Sequence, residues 1–208
     1  NSNLNTEDVI ASRDTVLEFD FERMYQKRIK NIYGKILNFV ILAQSNIANE
    51  EMIRDLNDMQ KAALGIVEAL KDVKHMQKNL TKYMLSDNGD IKSAYNHIRE
   101  DILAQIRVLN SVFEGSDKED AVALIGQVES LGERFDTNAG RSLGSLIKAA
   151  KISPLLGTSL MNDNAYAHNI SKSLISAAKT VLIHQDDVST EEMKTALMEN
   201  KTERTKTA

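Results

Sequence analysis

The sequence predicts an all-α fold, an up-and-down bundle of four or five long antiparallel helices. Apolar residues recur at steps of three and four from about residue 20 to 185, the period of a helical face packed on a core. Turn punctuation is scarce, with one proline and nine glycines in 208 residues, fewer than a many-stranded fold needs. Aromatic residues make up only 5% and tryptophan is absent, whereas strands favour aromatic and β-branched side chains.

Residues 1–19 read as a polar lead-in, with Val9, Ile10, Val16 and Leu17 enough for one short helix. Asp20 is placed to cap the helix after it. This first long helix covers 21–47, where Met24 or Tyr25, Ile29, Ile32, Ile36, Phe39, Ala43 and Ile47 keep the helical step. Its first half is basic, with Arg23, Lys27, Arg28, Lys30 and Lys35. The first reading of these charges is a solvated face; the sharper one is an anchor for anionic lipid or an acidic partner helix.

Asn49 is a good N-cap, and Glu50 and Glu51 complement the dipole of a second helix that runs to Met84, before the breaker SDNGD at 86–90. At 1.5 Å per residue that helix is roughly 50 Å long. A third runs from about Asp90 to Phe113, with Ile91, Tyr95, Ile98, Ile102, Ile106, Leu109 and Phe113 inward. The fourth spans about Lys118–Lys151, with Val122, Ile125, Val128, Leu131, Phe135, Leu143, Leu146 and Ala150 inward. Gly126, Gly132, Gly140 and Gly144 would each weaken it by about 1 kcal/mol relative to alanine, so close packing against a neighbour is expected to compensate. Ser153 before Pro154 reads as a cap and first-turn proline, as a hairpin or a kink. The fifth helix reaches His184, and 186–208 form a polar tail in which Ser189 and Glu192 offer a capping box. Residues 20–185 are thus read as one bundle.

A net charge of −4 argues against a nucleic-acid partner, which would favour an overall basic chain. The absence of cysteine excludes disulfides and thiolate chemistry. The longest apolar runs, such as 39–43, fall far short of the ~20 residues of a membrane span, and the polar N-terminus does not resemble a signal peptide. A soluble chain is expected. No glycine-flanked serine elbow or phosphate-cradling glycine loop occurs, and the four histidines are scattered, so the chain reads as non-enzymatic.

The residues that stand out are polar groups on apolar stripes. Asp163 lies on the face marked by Leu156, Leu160, Tyr166, Ala167, Ile170, Leu174, Ala178 and Val181, and a buried carboxylate must be hydrogen-bonded, paired or coordinated. Ser159 and Tyr166, about one turn either side, are expected to answer it. They either fix helix register or form part of a ligand or signalling site. His75 and Asn79, one turn apart, with Tyr95, Asn96, Arg99 and Glu100 form a second polar cluster, read as a solvated polar face or, more sharply, as one in which Arg99 bridges to Asp163. Glu51, Asp55 and Asp58 on the second helix, and Glu129, Glu133 and Asp136 on the fourth, are candidate ligands for divalent or iron cations, although the Glu-x-x-His of di-iron bundles is absent.

Three segments, HMQKNLTKYM (75–84), AYNHIREDI (94–102) and TSLMNDNAYAHNI (158–170), resemble the C-terminal cytoplasmic, PhoU-like region of bacterial sodium/phosphate cotransporter proteins. The resemblance spans most of 20–185, and Ser159, Asn162, Asp163 and Tyr166 match its segment well. It implies a long-helix bundle that regulates phosphate flux or contacts phosphate-sensing partners. Its own transmembrane transport domain would lie upstream of residue 1, tethering it to the cytoplasmic side of the inner membrane. PhoU proteins carry acidic E/D-x-x-x-D motifs that bind metal clusters. Glu51 and Asp55 meet that spacing, whereas Glu133 and Asp136 are one residue short. The alternatives are a free-standing metal- or ligand-binding regulator and a scaffold bundle that forms a homodimer through an apolar helix face.

Overall fold

The computed structural model describes residues 20–47, 49–113 and 118–184, with backbone alone at 113, 118, 119, 134–143, 183 and 184. The lead-in, the tail and its capping box lie outside these residues. The described chain is all-α: α1 Phe21–Met24, a π-helical segment Tyr25–Ile29, α2 Lys30–Gln44, α3 Glu50–Met84, α4 Gly89–Phe113, α5 Lys118–Lys148 and α6 Pro154–His184. Among the described residues there is no strand, and no helix is long and apolar enough to cross a membrane. Among the described residues the chain divides into two compact units, one holding residues 20 and 68–175, the other 21–67 and 176–184.

In the second unit, Val40 and Ala43 on α2 bury against Leu56 on α3, with Ile36, Ile47 and Met52 at the margin. The expected register ambiguity at Met24 or Tyr25 has a physical origin: the π segment inserts an extra residue into the turn, and both side chains end half-buried. The helix stops at Gln44, three residues early, where Ser45 Oγ and Asn46 Nδ2 each donate to the Leu42 carbonyl at 2.8 Å. Asn49 caps α3 as its sequence position predicts, its Oδ1 accepting from the Glu51 and Met52 amides at 2.9 and 3.3 Å.

The core of the first unit joins Ala69 and Met76 of α3, Ile91, Tyr95 and Ile98 of α4, Ile152, and Leu160, Ala167 and Ile170 of α6. Inward positions follow a seven-residue repeat. On α4 they are 91, 95, 98, 102, 105, 109 and 112; on α5, 121, 125, 128 and 132. This corrects the expectations at Ile106 and Val122; Ile32, Phe39, Ala150 and Val181, also expected on apolar inward faces, are likewise exposed. Ile106 is 47% exposed while Gln105 is fully buried, and Val122 is 64% exposed while Ala121 is buried. The alternating step of four and three, the 3.5-residue period of helices packed lengthwise, overrides residue hydrophobicity at both places.

The glycine expectation holds at Gly132 alone among the described glycines of α5. A Cβ there would lie 2.7 Å from Ser171 Oγ, while Gly126 and Gly144 have nothing within 4 Å. α5 ends and α6 begins anew, so the Pro154 region is a connection between helices and not a kink within one. Ala150 takes the left-handed conformation at φ 52°. Ala150 N–H bonds to the Ile147 carbonyl at 3.0 Å and Lys151 N–H to the Leu146 carbonyl at 2.9 Å, the paired bonds that close a helix C-terminus. Ser153 Oγ then accepts from the Leu156 amide at 3.3 Å, so the predicted cap is formed. Asn88 does two jobs. Its Oδ1 caps α4 through the Asp90 and Ile91 amides, and its Nδ2 donates to the Lys151 carbonyl at 2.8 Å. Lys151 in turn pairs with Asp90 at 2.9 Å.

Candidate functional site

Asp163 sits in the seven-residue repeat of α6, between Leu160 and Ala167, and is 1% exposed. That position turns a carboxylate into the core of the first unit, as its place on the apolar stripe predicts. One oxygen receives both donors: Tyr95 Oη donates to Oδ2 at 2.6 Å and Asn79 Nδ2 donates to the same atom at 2.9 Å. α3, α4 and α6 each supply one member. Tyr95, itself fully buried, stacks on Tyr83 with ring centroids 5.1 Å apart, and Lys82 Nζ lies 4.9 Å above the Tyr83 ring.

The electrostatics follow from burial. Desolvation pushes the Asp163 carboxyl above the usual carboxylate value, and the hydrogen bonds from Tyr95 and Asn79 pull only part of the way back. The Tyr95 phenol is pushed strongly upward, first by burial and then by its hydrogen bond to the carboxylate. It therefore remains a donor. A desolvated carboxyl fixed between two neutral donors can take up and release a proton while holding three helices in register.

The expected partners of Asp163 are corrected. Ser159 Oγ turns back to the Leu155 carbonyl at 3.3 Å, and Tyr166 stacks on His75 with centroids 5.3 Å apart. The Ser159 hydroxyl is thus directed away by local geometry: on a helix, serine readily bonds a carbonyl one turn back. Asn162 is exposed. Arg99 does not bridge to Asp163; its Nη1 donates to Asn96 Oδ1 at 3.1 Å, three residues back along α4. Of the eight polar candidates, the structure joins only Asn79 to Asp163. Tyr95 was legible as an inward position and as a member of the polar cluster, but periodicity does not say where a phenol tip ends.

Gln105 and Ser171 form a second buried polar spot, with neither the Gln105 amide nor Ser171 Oγ hydrogen-bonded. Both lie within 4 Å of the point a Gly132 Cβ would occupy. A strict 4-3-4-3 count along α4 is the signal that would have flagged Gln105.

The acidic candidates do not converge among the described residues. Glu51, Glu129 and Glu133 are exposed and Asp55 half-buried, Asp58 pairs with Lys61 at 2.9 Å, and the Asp136 side chain lies outside the described set. No group of three or more His, Asp or Glu side chains there could hold a metal ion. No family model, curated protein or solved structure matches the chain.

Proposed function

We propose that the chain is a non-catalytic regulatory or accessory domain of a sodium-dependent inorganic phosphate transporter. In this reading it is a PhoU-like up-and-down bundle of long antiparallel helices, tethered at the cytoplasmic face of the inner membrane by a transport domain encoded upstream. One observation supports it above the others. The three segments that resemble the cotransporter region, 75–84, 94–102 and 158–170, each contribute one residue to a single hydrogen-bonded cluster: Asn79, Tyr95 and Asp163. Resemblance confined to surface-pattern residues would have no reason to converge on one buried carboxyl.

The reading is tested on the gene and then on the transporter. The codons preceding Asn1 are expected to encode several apolar spans of about 20 residues; a polar start in their place overturns it. In proteoliposomes, removing residues 20–185 is expected to alter the phosphate dependence of sodium-driven uptake, and identical uptake curves would refute a regulatory role.

A further inference from the structure

We infer that the helical run 21–44 is a docking surface for an anionic lipid bilayer. Its outer surface is both apolar and basic. Ile32, Phe39, Ile41 and Leu42 are between 38% and 63% exposed, while Val40 and Ala43 of the same helix face its own core. Ile32, Lys35, Phe39 and Leu42 follow steps of three, four and three, which sets them on one strip. Lys35 thus stands within the strip, and a lysine can lay its stem along apolar neighbours while its ammonium reaches headgroup phosphates. Arg23, Lys27, Arg28, Lys30 and Lys35 are all exposed, and among the described residues no ion pair engages Lys27, Arg28, Lys30 or Lys35.

Charge identifies the occupant. Residues 21–44 hold five basic residues against one acidic, Glu22, a net of +4 in a chain whose total is −4, so the remaining sequence carries −8. A second copy docking through the same face would set one +4 helix against another. An anionic membrane complements both features at once, with apolar side chains entering the headgroup boundary and basic ones meeting lipid phosphates. The inference does not rest on the transporter reading, since a free-standing chain with this helix would bind the same surface.

Co-sedimentation of the 208-residue chain with vesicles tests it. Binding to about three parts phosphatidylcholine and one part phosphatidylserine is expected to exceed binding to pure phosphatidylcholine by at least about tenfold and to weaken with salt. The double variant Lys27→Glu/Lys35→Glu is expected to lose about tenfold or more, because each basic group near such a surface contributes severalfold. Ile32→Ser/Phe39→Ser should also weaken binding; both pairs occupy exposed positions, so thermal melts monitor that the fold is kept. Equal binding to neutral and anionic vesicles, or indifference to charge reversal, overturns the proposal. So does a vesicle-free dimer that Phe39→Ser dissolves in sedimentation equilibrium, which would assign the face to a second copy.

Discussion

At Asp163 both donors converge on Oδ2, and this geometry separates charge from hydrogen bonding. An asparagine with its carbonyl in the place of Oδ2 would accept both bonds without a charge to desolvate. Asp163→Asn is therefore expected to stay within about 1 kcal/mol of the parent in urea unfolding, whereas Asp163→Ala leaves the buried Tyr95 hydroxyl without its acceptor and should cost about 1–3 kcal/mol. The pH dependence has a definite sign. Unfolded, Asp163 titrates near 3.8; folded, it titrates higher because burial penalises the charge. Between those values the native state holds more protons, so stability falls as pH rises across the window and returns as pH falls. Asp163→Asn should flatten that slope. A slope of the same sign remains from Asp72, which burial also raises while His75 lowers it. At Gly132 the crowding by Ser171 Oγ predicts that Gly132→Ala destabilises by about 1–2 kcal/mol despite better helix propensity. Ser171→Ala should relieve part of that loss, seen as non-additivity in a double-mutant cycle.

At the scale of the elements, the link between α5 and α6 stores removable strain. Ala150 holds a conformation that costs a residue with a Cβ about 1–2 kcal/mol and glycine little. Ala150→Gly is thus expected to raise stability by about 0.5–1 kcal/mol, since greater freedom in the unfolded chain cancels some of the gain. A measured loss would show that the left-handed turn is not formed. Asn88→Ala should act oppositely and lose about 1–2 kcal/mol, because the same side chain caps α4 and holds the Lys151 carbonyl. The ends of these helices were readable from local chemistry: Asn49 and Ser153 cap as their positions predict. The inward faces of α4 and α5 were readable only in part, since Ile106 and Val122 are more apolar than the Gln105 and Ala121 that displace them.

At the scale of the molecule, the buried clusters described in the two units differ in size. The first unit buries residues from α3, α4 and α6 around Met76, Tyr95 and Leu160, while the cluster at α2 centres on Val40, Ala43 and Leu56. Less buried apolar area gives a lower free energy of local opening. Amides of α2 are therefore expected to exchange faster than those of α4 under native conditions, and equal protection would refute the ranking.

Helix content, most helix ends and the burial of Asp163 all derive from composition and from interactions within a turn or two of chain. Those forces act between neighbours in sequence, so the order of residues already contains them. The partners of Asp163 have a different origin. Ser159 and Tyr166 were near it in sequence, yet Tyr95 and Asn79, 68 and 84 residues away, supply its hydrogen bonds. Which donor reaches a buried oxygen depends on how separate helices are rotated and shifted against one another, and that is decided only when the core packs.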